Sequence, residues 1–347
     1  MAKTRDIAKG KLFGRLAGGL MLCAIMACVV FLTQTIRIKE SAMNAYINGN
    51  AQEKESLKKL IARSVLINSG KWSTWGRPER LSVDVRLERI KGRQKDALVI
   101  VNGGKGKILA AVYEKNSGFY SFSGLVGIFN ELKDIQVMPM KDETSGVIVA
   151  RERIDNPKGS EESIYIRAYI WDNGGFRTAL DLRESYKAYH NELWDQNKPA
   201  NKSIWIKVSG RSDIIWENAD SPIIHVLVHQ NYSLSRSANQ ETEPPESDFE
   251  LIRNRDILEE YVWSGKWMHF ILFEGFDIQN GEPVAVIEDL SGGPLGLFEQ
   301  YSEANNKYRV KYLDGTVSTV EKERVKPGIQ IKNTRVVSNG AEQEAEA

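Results

Sequence analysis

From Leu81 to Pro327 the chain is written almost continuously in short strand-like segments separated by turn residues, which commits it to a mainly β architecture. Val83, Val85 and Leu87 alternate with Asp84, Arg86 and Glu88, the two-residue period of a strand with one buried face. Apolar runs at 97–101 and 108–113 flank Asn102-Gly103-Gly104-Lys105-Gly106, whose residues tolerate the backbone of a hairpin turn. Further strands are expected at 134–139, 146–153, 163–171, 175–182, 203–208, 213–216, 222–230, 251–263 and 266–275. One helix is expected among them at 184–195, where Tyr186, Tyr189, His190 and Leu193 share a helical face.

Upstream, residues 16–32 carry no charge and follow Lys3, Arg5, Lys9, Lys11 and Arg15. Seventeen residues at about 1.5 Å each cover about 26 Å, enough for a thin hydrocarbon core. The basic flank predicts a cytoplasmic N-terminus and an outward-facing remainder, with residues 1–34 as tail and single-pass membrane anchor. Signal-peptide cleavage, or lipidation at Cys28 within Ile25-Met26-Ala27-Cys28, are the alternatives. Both cysteines, Cys23 and Cys28, lie in this segment, so the exported part has neither disulfides nor thiolate ligands. Residues 35–80 read as a helical stalk interrupted at Asn48-Gly49-Asn50, with Leu57, Leu60, Ile61 and Val65 at helical spacing, lifting the body off the membrane and then packing one face against it.

The body spans 81–276, and an internal repeat runs through it. Val112-Tyr113-Glu114-Lys115-Asn116-Ser117-Gly118-Phe119-Tyr120 parallels Ile170-Trp171-Asp172-Asn173-Gly174-Gly175-Phe176-Arg177, with Val262-Trp263-Ser264-Gly265-Lys266-Trp267-Met268 as a looser third copy. On these hairpins the body resembles exported bacterial proteins with propeller-type repeats of the FG-GAP or VCBS kind, without their Asp-rich calcium loops. That resemblance implies an antiparallel meander, arranged as a partial propeller or as a sandwich. Segments 284–287, 296–298, 308–312, 316–320 and 325–327 give five short strands, so 281–330 resembles a small SH3-like barrel. The polar stretch 233–247 reads as a long exposed loop, and 331–347 as a disordered tail.

Chemistry is sparse. His225 and His229 fall on one face of a strand and are the metal candidates, with His269, His190 or a carboxylate as a third ligand. Gly103-Gly104-Lys105-Gly106-Lys107 lacks the Ser or Thr of a phosphate loop, since Ile108 stands there. No nucleophile elbow surrounds Ser123 or Ser291, and the acid pairs Glu161-Glu162 and Glu259-Glu260 read as surface. Of eight tryptophans most are expected in the core, leaving Trp72 and Trp75 as ligand-binding candidates beside Gly70 and Gly76. A net charge of +1, with both signs interspersed, points away from nucleic acid. No cofactor is expected. The sequence therefore reads as a membrane-anchored, non-catalytic binding or scaffold protein of a bacterial envelope, with protein or cell-wall polymer as partner. The alternatives are an exported wall hydrolase using Asp and Glu residues and a sensor subunit signalling through a partner membrane helix.

Overall fold

The helical signal after residue 35 folds into two helices, α1 (Glu40–Asn48) and α2 (Ala51–Asn68). Asn50 starts α2 with a reciprocal cap: its Oδ1 accepts from the amides of Gln52 and Glu53 at 3.1 and 3.0 Å, while Glu53 accepts from the Asn50 amide. Gly70, at φ +68°, ends it, with the Lys71 amide donating to Leu66 and the Gly70 amide to Ile67. The computed structural model describes residues 36–328 and 334–337 except 76, 93, 105, 141–145, 156–160, 192–203, 218–221, 237–241 and 293–305. The apolar segment 16–32 with both cysteines, the 296–298 strand and the end of the tail lie outside the described residues. Among the described residues, no helix is long and apolar enough to cross a membrane.

The first sheet orders β1 (Ile38–Lys39), β5 (Phe119–Phe129), β4 (Ile108–Asn116), β3 (Asp96–Asn102) and β2 (Ser82–Glu88). Met43, Ile61, Ala62, Val65 and Leu66 are buried against Val99, Val101, Leu109, Ala111 and Tyr113, so α1 and α2 form a layer on this sheet. The alternate residues Leu98, Ile100, Ile108, Ala110 and Val112 enter a second core on the opposite face. Both faces of β3 and β4 are covered, which explains why their sequences are apolar runs rather than alternations.

The second sheet is one long meander. It runs β6 (Glu131–Pro139), β7 (Gly146–Asp155), β8 (Glu161–Asp172), β9 (Gly175–Asn191), β10 (Ile204–Glu217), β11 (Ile223–Arg236), β12 (Glu250–Ser264) and β13 (His269–Ile271), each beside the next. The third sheet is small: β14 (Phe273–Asp277), β15 (Glu282–Asp289), β16 (Lys307–Tyr312), β17 (Val317–Glu321) and β18 (Val325–Pro327). Its order, β17-β16-β15-β14-β18, brings the last strand back beside the first to make a half-barrel. The four buried or paired bonds of Asp277 hold it: Oδ1 accepts from the Gln279 amide and Arg324 Nε, and Oδ2 from Tyr312 and Arg324 Nη2. A final strand, β19 (Thr334–Val337), pairs with Asp256–Glu259 of β12, inside the tail expected to be disordered.

The layers therefore stack as helices, first sheet, second sheet, third sheet. Ile135, Ile148, Ala150 and Tyr169 bind the second sheet to the first. Val147, Val149, Ile224, Val226 and Tyr261 bind its other face to Val284, Val286, Val310 and Val320 of the third. The repeat hairpins are divided between layers: the first belongs to the first sheet, and the second to the second sheet. What those two hairpins share is turn chemistry. Ser117-Gly118 and Asn173-Gly174 all have positive φ, the two-residue turn whose twist matches antiparallel strands.

Three expectations are corrected. Residues 184–191 are not helical but continue β9, hydrogen-bonded to β8 and β10 on both sides. Tyr186 and Tyr189 then fall on opposite faces, because the two ladders outweigh a local helical period. The two strands expected at 203–208 and 213–216 are one, β10, running straight through Gly210. A side chain at 210 would meet the Tyr186 ring at 2.3 Å, so the glycine makes room for an aromatic ring rather than breaking the strand. Phe273–Asp277, assigned to the body from sequence, opens the small sheet instead.

Candidate binding surface

The second sheet presents one face to the first sheet along β6–β8, but that face continues across β10, β11 and β12. There it is open: Ile215 is 64 % exposed and Leu258 40 %. Strand register arranges this open face in rows. Ile215, His225 and Glu260 form one row, Asp213, Leu227 and Leu258 the next, and Arg211, His229 and Asp256 the third.

His225 and His229 do share a face, as their spacing requires. Four residues of strand separate them by about 13 Å, too far for one metal ion. Each imidazole instead bridges two carboxylates from the neighbouring strands. His225 Nε2 lies 3.0 Å from Glu217 Oε2 and Nδ1 3.4 Å from Glu260 Oε2. His229 Nδ1 lies 2.8 Å from Asp256 Oδ1 and Nε2 3.5 Å from Asp213 Oδ2. A neutral ring can donate to one of its two carboxylates, a protonated ring to both. His190 pairs with Ile206 on the opposite face, and His269 is buried on β13, so the imidazoles do not converge. Among the described residues, no group of three His, Cys, Asp or Glu is placed to hold a metal ion.

Asp213, Glu217 and Asp256 were not singled out from sequence and Glu260 read as surface, although a signal was there. Asp213 and Glu217, His225 and His229, and Asp256 and Glu260 each recur at i and i+4, and any even spacing puts both residues on one strand face. Only register sets the three pairs side by side.

Trp72 and Trp75 part company. They begin and end the short α3 (Trp72–Trp75), but Trp75 is buried in the core beneath α2. Trp72 stays exposed in a shallow depression with Arg77, Pro78 and Arg80, the Arg63 guanidinium 5.8 Å from its ring. Much of the remaining tryptophan set is core: Trp205 and Trp267 are buried, and Trp216 and Trp263 pack around Phe270.

Within 233–247 the described residues are 233–236 and 242–247, and both ends are held to the sheet. β11 extends to Arg236, and a 3-10 turn at Glu246–Asp248 folds back over the far end of the same open face. The Glu246 carboxylate accepts from Lys187, Lys207 and, at 2.8 Å, the Tyr189 hydroxyl, while Phe249 stacks 5.7 Å from the Tyr189 ring. These donors, the two ammonium groups first, hold the Glu246 carboxyl down at about 2. A depressed carboxyl stabilises the clasp fully above its ordinary value of 4.5, and the contribution fades as pH falls toward 2. Glu246→Gln is expected to speed protease cutting within 233–247 several-fold at pH 7. Global stability should move by less than about 1 kcal/mol, because the clasp is half-exposed. Unchanged cutting would show that Phe249 alone holds the strap.

A second group of carboxylates meets where the second and third sheets join. Burial raises Glu259 to about 7, and burial also raises Glu288. Glu259 is 8 % exposed and accepts the Tyr261 hydroxyl at 2.9 Å, so it belongs to the packing of the joint rather than to an open cleft. Lys322 donates to Asp289 and Ser291, and Arg309 pairs with Glu288, at its rim.

Compared with known proteins, the chain matches no family model, no curated protein and no solved structure.

Proposed function

We propose that this chain is a membrane-anchored, extracytoplasmic binding or scaffold protein of a bacterial cell envelope. The observation that carries binding is the open face of β10–β12, where exposed apolar residues and fixed carboxylates occupy a sheet surface that is layered over elsewhere. Long ladders on both sides of β11 make that surface rigid, which lowers the ordering cost of association. The basic flank and uncharged segment 16–32 support a cytoplasmic N-terminus with the β layers outside. The strand order of the third sheet, with a 3-10 turn at Lys322–Arg324 before the last strand, supports an SH3-like module as a second contact surface. The partner in this reading is an envelope protein rather than wall polymer, because the open face pairs apolar with ionised groups.

Protease shaving of intact cells tests the orientation: a tag fused after Ala347 should be removed without lysis. A tag reachable only after the cells are broken would overturn the envelope reading. Purified protein should be retained on envelope membrane-protein fractions and not on purified wall polymer; the reverse would overturn the choice of partner.

A further inference from the structure

We infer that the open face of β10–β12 docks a cationic amphipathic helix of a partner protein. The inference rests on the binding reading above and names what the surface would recognise. On this face Asp213, Glu217, Asp256 and Glu260 gather around the two imidazoles, and the Arg211 guanidinium lies 3.7 Å from Asp213. The imidazoles of His225 and His229 hold these carboxylates in place from between. Asp213, Glu217 and Asp256 remain at least two-fifths exposed while so held. The carboxylates form two pairs about 13 Å apart along the strands, with Leu227 and Leu258 paired between them and Ile215 alongside.

That pattern has a complement. A helix with Lys or Arg at i and i+7 sets two cations on one face about 11 Å apart, with apolar side chains at i+3 and i+4 between them. Long cationic side chains span the remaining distance and keep their charged ends at the rim. The fold already uses this layer elsewhere: α1 and α2 cover the outer face of the first sheet through the same helix-on-sheet contact. An anionic lipid surface or an acidic strand would be repelled by the same carboxylates.

The probe is an 18-residue peptide of Lys, Leu and Ala with that spacing, titrated against the full chain in nanodiscs of zwitterionic lipid, with empty nanodiscs subtracted. The parent protein should bind it, and a Glu-for-Lys peptide should not bind. Asp213→Asn with Asp256→Asn, and separately Ile215→Ser with Leu258→Ser, should each weaken Kd tenfold or more. Asp213→Lys with Asp256→Lys should reverse the preference and take up the Glu peptide, an outcome that a misfolded variant cannot mimic. Equal binding by the parent and both neutral variants overturns the inference, as does a charge-swapped protein that still prefers the Lys peptide. The peptide experiment uses purified protein, so its failure leaves the membrane orientation standing; only the shaving result bears on that.

Discussion

Phe129→Ala lowers the unfolding free energy by about 3–5 kcal/mol, the expected cost of emptying a fully buried aromatic site. Phe129 is 1 % exposed at the end of β5, and its ring meets Tyr169 of β8 edge-to-face at 6.1 Å. It sits where the first and second sheets share a core with Leu98, Ile100, Ile148 and Ala150. The neighbourhood is tight: a side chain at Gly127 would meet the Phe129 ring at 3.0 Å. Phe276→Ala, at a half-exposed position on β14, is the control and should cost less than about 1 kcal/mol. Urea unfolding followed by near-ultraviolet circular dichroism reads both. A loss under about 1.5 kcal/mol for Phe129→Ala would mean that the first two sheets do not depend on this contact.

Glu259→Gln removes a pH dependence that the parent protein should show between about 4.5 and 7. Burial raises the Glu259 carboxyl to about 7 from its ordinary 4.5, so the folded state holds a proton there that the unfolded state has released. Stability from this group is therefore greatest below pH 4.5, falls as pH rises to 7, and is level above that. The gap corresponds to about 3 kcal/mol. Gln keeps an acceptor for the Tyr261 hydroxyl without an ionisable proton, so the variant should be more stable than the parent at pH 8 by up to that amount. The two should converge near pH 4.5. Glu288 contributes in the same direction, because burial raises it too, and so the difference between the two proteins is the quantity to read. The depressed carboxyls of Glu246 and Asp277 act in the opposite sense and at lower pH, where their clasps fail. Chemical denaturation at half-unit pH steps measures this; parallel curves for parent and variant would show that Glu259 is ionised in the native state.

Much of the strand plan could be read directly. Ala97 to Val101 and Ile108 to Tyr113 advertise strands covered on both faces, and the alternation at Val83, Val85 and Leu87 marks a strand at the edge of its layer. Ser117-Gly118 and Asn173-Gly174 state their turns outright, because few residues adopt positive φ at both central positions. The break at Gly49-Asn50 is equally local, written in the cap that Asn50 and Glu53 form together. Errors came where a local period was ambiguous. Residues 184–191 satisfy a helical face and a strand alternation equally well, and hydrogen-bonding neighbours on both sides decided between them.

The candidate surface was legible only in part. His225 and His229 were visible as a same-face pair, but their partners sit on two other strands and were invisible without register. Trp72 and Trp75 looked equivalent until α2 buried one of them. Glu246 lay in a stretch that read as free, and became a clasp because β9 and β10 bring Lys187, Lys207 and Tyr189 together beneath it.

Residue order alone settled most of the extended segments and tight turns, residues 184–191 and the join at Gly210 apart, and which side chains share a strand face once the strand is given, since these follow from neighbours a few positions apart. Long-range packing settled which faces are covered, which carboxylates meet and which stretch of sheet is left open. Those outcomes depend on how distant strands align and stack, and a one-residue change of register would exchange every buried group for an exposed one.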